Sequence, residues 1–225
     1  MRIAFFGGSF DPPHCGHLAV ARAAQRALTL DKVLFAPVAL QPLKPFGASA
    51  SFEDRVAMTE LAIAGKPNFE VSLADAPAVS DNDAPNYTID TLTRLRASLP
   101  ADARLYLLLG ADSLITLPHW HRAAEILFLA DLIVASRPDQ DLSNLEACMP
   151  AGVTLTREPD NQSSSNQYRL KNGRGQRAHL TILPDLQYEV SATQVRESIR
   201  DDGKDGAPSI PEAVLQYIER HQLYK

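Results

Sequence analysis

Cysteine is scarce in this chain of 225 residues. Cys15 and Cys148 are the only two, too few for a disulfide framework. Long apolar runs are missing too. No stretch approaches the roughly 18 residues that a membrane helix requires. The apolar start at residues 3–6 is too short for a secretory signal. Positive charge is not in excess: 22 Lys and Arg stand against 27 Asp and Glu, a net of −5, which excludes a chain-wide polycation coating nucleic acid or anionic lipid. Two common glycine signatures are also absent. Without G-x-G-x-x-G or a Walker lysine loop, the sequence argues against dinucleotide-dependent oxidoreductases and P-loop kinases.

What is present is the balance of a globular domain, 45% hydrophobic and 22% charged, long enough to bury one sizeable core. The expectation is a soluble cytoplasmic chain. Short apolar runs at residues 2–6, 32–36, 69–73, 105–109, 132–135 and 180–183 read as strands. Helical patterns separate them at 17–28, 52–64, 88–99 and 123–129, and two more begin near Ser191 and Pro211. Ser51 followed by Asp54 resembles a capping box. Strands that are apolar throughout, alternating with helices, predict a parallel sheet covered on both faces, a doubly wound Rossmann-like α/β fold. One segment departs. Residues 156–179 contain a polar run and then Arg169, Lys171, Arg174 and Arg177 among glycines. With Arg157 these are five basic residues against Glu158 and Asp160, a local net of +3 that leaves −8 elsewhere. This segment reads as a flexible surface insertion within a single domain spanning 1–225.

The most informative stretch is Gly7-Gly8-Ser9-Phe10-Asp11-Pro12-Pro13-His14-Cys15-Gly16-His17, between the first strand and the first helix. In a parallel sheet, ligands bind where strand ends meet helix N-termini. Adjacent glycines let backbone N–H groups approach an anion closely. His14 and His17, three apart at a helix start, can share a side, and an imidazolium there would donate to charge developing on phosphate oxygens. A rival reading takes His14, Cys15 and His17 as ligands of a metal-dependent hydrolase. Another takes the basic segment 169–177 as a nucleic-acid contact, with no aromatic interleaving beyond Tyr168 to support it.

The stretch resembles the GG(T/S)FDPxHxGH signature of the nucleotidylyltransferase superfamily. Val190-Ser191-Ala192-Thr193-Gln194-Val195-Arg196 is similar to that superfamily's second signature, close to ISSTxIR, with Ala192 where Ser is usual. Further segments resemble the bacterial nicotinate-nucleotide adenylyltransferases. Pro37-Val38-Ala39-Leu40-Gln41-Pro42-Leu43-Lys44 is similar to PxxxPPHK, with Leu43 in place of His. Asn86-Tyr87-Thr88-Ile89-Asp90-Thr91-Leu92 is similar to SYTxDTL. Gly110-Ala111-Asp112-Ser113-Leu114, then Leu117-Pro118-His119-Trp120, is similar to GADSLxxLPxW, with His121 where Tyr or Lys is usual.

The resemblance implies adenylyl transfer from ATP, with Mg²⁺, to nicotinate mononucleotide, giving deamido-NAD and pyrophosphate. It implies His14, His17, Lys44 and Arg196 as the catalytic cations. ATP would be held by Gly7, Gly8, Ser9, Phe10, His14, His17, Asp112, Ser191, Thr193 and Arg196. The mononucleotide would be held by Thr88, Trp120 and His121, the indole stacking on the pyridine ring. Residues 190–225 would form a helical part carrying the second nucleotide motif. No protein-bound metal, nucleic acid or membrane partner is implied. A nicotinamide-mononucleotide or dual-specificity enzyme is the alternative within the class.

Overall fold

A computed structural model describes residues 1–40, 47–77, 85–136, 142, 144–159, 166–183, 190–200 and 209–225. The strands are β1 (Arg2–Gly8), β2 (Lys32–Pro37), β3 (Phe69–Val71), β4 (Arg104–Gly110), β5 (Asp131–Ala135), β6 (Val153–Arg157), β7 (Asn166–Asn172) and β8 (Arg177–Leu183). They form one sheet in the order β3-β2-β1-β4-β5-β8-β7-β6. From β3 to β8 all pairs are parallel; β8-β7 and β7-β6 are antiparallel.

The helices are α1 (Cys15–Leu28), α2 (Phe52–Ile63), α3 (Thr88–Ser98), α4 (Ala111–Thr116), α5 (Ala123–Leu129), α6 (Ala192–Arg200) and α7 (Glu212–His221). Side chains alternate across the sheet and build two apolar layers. Ala4, Phe6, Tyr106, Leu108 and Ile133 face one way, onto α1, α2, α6 and α7. Phe5, Leu105, Leu107, Leu109, Leu132 and Val134 face the other, onto α3, α4 and α5. Strands sandwiched in this way must be apolar throughout, which is why the parallel strands read so clearly. On α1, Gly16, Leu18, Ala21 and Ala24 are buried, and the small residues among them let the helix lie close to the sheet. None of the helices among the described residues is long and apolar enough to cross a membrane.

The doubly wound α/β expectation holds, with two differences. Residues 166–172 and 177–179 are strand, so this part of the expected flexible insertion is built into the sheet. Tyr168 and Leu170 turn inward while Gln167, Arg169 and Lys171 face out, a period-two alternation hidden by polar composition. The short helix α4, directly after β4, is also additional to the sequence reading.

Strand order reverses beside β1. The chain winds outward one way through β2 and β3, and the other way through β4, β5 and β8. The crevice beyond the carboxyl ends of β1 and β4 is therefore a topological switch point, where open α/β sheets bind ligands. Gly8 ends β1 beside Pro37, and Gly110 ends β4 beside Ala135.

Candidate active site

The loop after β1 enters the switch point and is built to hold its histidines rigidly. His14 is extended at φ −135°, ψ 171°, and serves as the N-cap of α1; its carbonyl accepts from His17 N–H at 3.0 Å. The backbone N–H of His14 donates to His17 Nδ1 at 3.2 Å. With Nδ1 accepting, the proton of a neutral His17 ring sits on Nε2. That arrangement leaves Nε2 as the ring nitrogen able to donate to a ligand. Its ring lies 3.8 Å from that of His14 and 4.9 Å from that of Phe10, centroid to centroid. Phe10 is fully buried and adopts a left-handed φ of 46°.

Gly16 is fixed by packing. A Cβ there would stand 2.9 Å from His14 Nδ1, so any side chain would push the imidazole, while Val190 O, 3.7 Å away, would be met at ordinary contact distance. Gly7 and Gly8 end β1, and Ser9 accepts from Arg55 through its carbonyl at 2.8 Å.

The second motif starts α6. Ser191 Oγ accepts from Gln194 N–H at 3.2 Å, and Gln194 Oε1 accepts from Ser191 N–H at 3.0 Å, a closed capping box. Arg196 on α6 reaches the first motif: its Nη1 donates to the Asp11 carbonyl at 2.7 Å and its Nη2 to Thr193 Oγ1 at 3.3 Å. His14, His17 and Arg196 thus converge on one loop, although Arg196 and Asp11 are 185 residues apart. Lys44 lies outside the described residues, as does Leu43. Asp112 is exposed in the first turn of α4, just beyond Gly110, the N-cap of that helix.

The expected mononucleotide residues form a second group. Thr88 opens α3. Trp120 packs partly on the second core layer, with Nε1 donating to Thr116 Oγ1 at 3.3 Å. The exposed His121 ring lies 4.5 Å from the Tyr87 ring, which joins the start of α3 to the segment before α5.

Three polar residues here were given no role by the sequence. Asp11 is buried and accepts from Ser49 N–H at 2.6 Å, Ala50 N–H at 3.1 Å and Tyr224 O–H at 2.7 Å. Arg55 is 2% exposed and donates to three carbonyls, those of Ser9, Val38 and Ala50. A signal for Arg55 existed: with Met58, Thr59 and Ala62 it falls on the buried stripe of α2. Asp75, beside Gly7, accepts from the Thr91 hydroxyl. Burial pushes its carboxyl above the ordinary range, opposed by the Thr91 bond and by Arg94. With a folded pKa above the unfolded one, ionised Asp75 weakens the fold at neutral pH, and the penalty vanishes below the unfolded value. Asp75→Asn is therefore expected to raise the thermal midpoint at pH 8, with the gain shrinking as melts are run down to about pH 4. A gain that does not change with pH would contradict this.

Among the described residues no cluster of three or more His, Cys, Asp or Glu could hold a metal ion, so the hydrolase reading of His14, Cys15 and His17 gains no support.

The family model described as Cytidylyltransferase-like matches residues 5–198. A protein of Trichlorobacter lovleyi named "Probable nicotinate-nucleotide adenylyltransferase" is 37% identical, over 100% of both chains. One of the same name from Gloeobacter violaceus is 36% identical over 99% of this chain and 96% of its own. Among solved structures, Plasmodium falciparum nicotinic acid mononucleotide adenylyltransferase complexed with NaAD superposes with a TM-score of 0.70 at 16% identity, covering 99% of this chain and 97% of that one, a likeness of fold.

Proposed function

This chain belongs to the cytidylyltransferase-like family, in its nicotinate-nucleotide adenylyltransferase branch, and from that premise we propose that it joins ATP and nicotinate mononucleotide into deamido-NAD and pyrophosphate. The observation that carries the reading is the Arg196–Asp11 bond, which brings the two nucleotide motifs together at the switch point. The 5′-phosphate of the mononucleotide attacks the α-phosphorus of ATP in line, and pyrophosphate leaves with the bonding pair. A phosphate monoester is already largely a dianion at neutral pH, so no general base is needed. Catalysis is positioning plus charge stabilisation of two polyanions brought together.

The amides of Gly7, Gly8 and Ser9, the ring of His14 and the Nε2–H of His17 supply donors, with Phe10 packing behind them. Lys44 and Arg196 supply fixed positive charge. Ser191 and Thr193 order the start of α6, and Asp112 offers a carboxylate to the nucleotide ribose. Mg²⁺ arriving with ATP would shield the charge of its phosphates; the loop's own carboxylate, Asp11, is already taken up by Ser49, Ala50 and Tyr224, and its amides and imidazoles suit the anion more than a bare cation. Thr88, Trp120 and His121 receive the mononucleotide. The setting is the cytoplasm, with nucleotides rather than nucleic acid or membrane as partners.

Pyrophosphate release from ATP, compared side by side with nicotinate mononucleotide, nicotinamide mononucleotide and phosphopantetheine, tests the assignment. The nicotinate substrate is expected to give the highest kcat/KM, and no release with either mononucleotide would overturn the reading. Trp120→Ala is expected to raise KM for the mononucleotide by about three- to tenfold, the value of one aromatic stack, and to leave KM for ATP unchanged. Equal rises for both substrates would mark Trp120 as a packing residue only.

A further inference from the structure

Asp11 is a costly residue to find here: a buried carboxylate inside a loop read as a cradle for polyanions. Its surroundings suggest why it is tolerated. Oδ2 accepts from the Ser49 amide at 2.6 Å; Oδ1 accepts from the Ala50 amide at 3.1 Å and from the Tyr224 hydroxyl at 2.7 Å. The Arg196 guanidinium stands 3.8 Å from Oδ2, well beyond the roughly 2.8 Å of a direct charge-assisted bond. Arg196 is held instead by the Asp11 carbonyl at 2.7 Å. Three neutral donors thus satisfy the carboxylate, and the guanidinium is anchored beside it without being captured.

The donor that completes this shell comes from far away. Tyr224 is 213 residues from Asp11, is buried, and takes a left-handed φ of 65°. Phe10, next to Asp11, is left-handed as well, at φ 46°. Bulky aromatics avoid this region unless their surroundings hold them there. Burial, and then the Asp11 carboxylate, push the Tyr224 phenol far above its ordinary value, so it remains a donor at every working pH.

We propose that Tyr224 is a positioning residue of the ATP site: by completing the donor shell of Asp11 it keeps the Arg196 guanidinium off the carboxylate and available to the triphosphate. The proposal rests on the adenylyl-transfer reading. Without the hydroxyl, Oδ1 loses its shortest donor, the carboxylate is left short of a partner, and Arg196, 3.8 Å away on the Oδ2 side, closes on it. The positive charge is then turned inward, away from ATP, while the mononucleotide pocket at Thr88 and Trp120 is untouched.

The test is Tyr224→Phe in the full chain. Steady-state kinetics with each substrate varied are paired with calorimetric binding of a non-hydrolysable ATP analogue. KM for ATP and Kd for the analogue are expected to rise about tenfold, the value of one buried hydrogen bond to a charged group. KM for the mononucleotide should stay within about twofold of wild type. Tyr217→Phe is the control: it removes a tyrosine hydroxyl bonded at 2.9 Å to Asp54 and should change none of these values. ATP parameters unchanged in Tyr224→Phe would overturn the proposal. So would a parallel rise in both KM values with a falling thermal midpoint, the mark of general loosening. If the wild-type chain released no pyrophosphate, the functional reading would fail, and the analogue isotherms would still decide the role of Tyr224.

Discussion

His17→Ala is expected to lower kcat by about 100-fold or more, the size of losing one transition-state donor, or about 3 kcal/mol. KM for both substrates should change only a few-fold. The split follows from geometry. The His17 ring is held on three sides, by His14 at 3.8 Å, Phe10 at 4.9 Å and Phe6 at 6.1 Å, so its donor is fixed before substrate arrives. A prealigned donor does more for a transition state whose charge is being redistributed than for a ground state already bound through other phosphates. The His14 amide that donates to Nδ1 sets which nitrogen keeps the proton. His17→Asn separates shape from chemistry: the amide side chain retains an acceptor and a donor, and should recover part of the rate if the lost function is donation. Pyrophosphate release under saturating substrates, with thermal melts to show an intact fold, measures both variants. A near-normal kcat in His17→Ala would sink the catalytic assignment.

Much of this site was legible because its chemistry is local in the chain. The two histidines, both glycines of the cradle and the start of α1 fall within residues 7–17, and strand context follows from the apolar run before them. The six parallel strands were legible for a related reason: burial on both faces demands continuous apolar sequence. The antiparallel edge was not. β7 needs apolar residues on one face alone, and its outward positions carry Gln167, Arg169 and Lys171, a composition that imitates a loop. The polar frame beneath the site was hidden more deeply. Asp11 has its donors at positions 49, 50 and 224, and Arg55 bonds carbonyls 46 and 17 residues away. No local pattern encodes such partners; they exist only once the chain has folded.

Arg55→Met is the severest change expected of stability. The guanidinium is 2% exposed and donates to Val38 O at 2.7 Å, Ser9 O at 2.8 Å and Ala50 O at 3.3 Å, while the Phe52 ring lies 5.6 Å from its centre. Burial lowers its pKa, with Asp11 opposing, but an arginine stays charged. A buried ion pair can sometimes be exchanged for apolar residues at no loss, because both charges leave together. That route is closed here. The acceptors are backbone carbonyls, which no substitution removes, and Met would take this donor from all three, those of Val38 and Ala50 being buried and that of Ser9 part-buried. At about 1–3 kcal/mol for each unsatisfied group, partly relieved by water and relaxation, a loss of about 3–5 kcal/mol follows. That is a large share of the roughly 5–15 kcal/mol that holds a domain together. For a chain of 225 residues it corresponds to a thermal midpoint lower by about 10–15 °C. Arg55→Lys should recover only part of this, since its three N–H donors sit on one nitrogen, whereas the carbonyls are served from two, Nη1 for Ser9 and Val38 and Nε for Ala50. The damage is also directional. Ser9 belongs to the loop after β1 and Val38 to the loop after β2, so the freed carbonyls are those that frame the switch point. Assayed well below its lowered midpoint, the variant should still show a raised KM for ATP, separating loss of site geometry from loss of fold. A midpoint within about 3 °C of wild type would show that water or a neighbouring donor replaces the guanidinium.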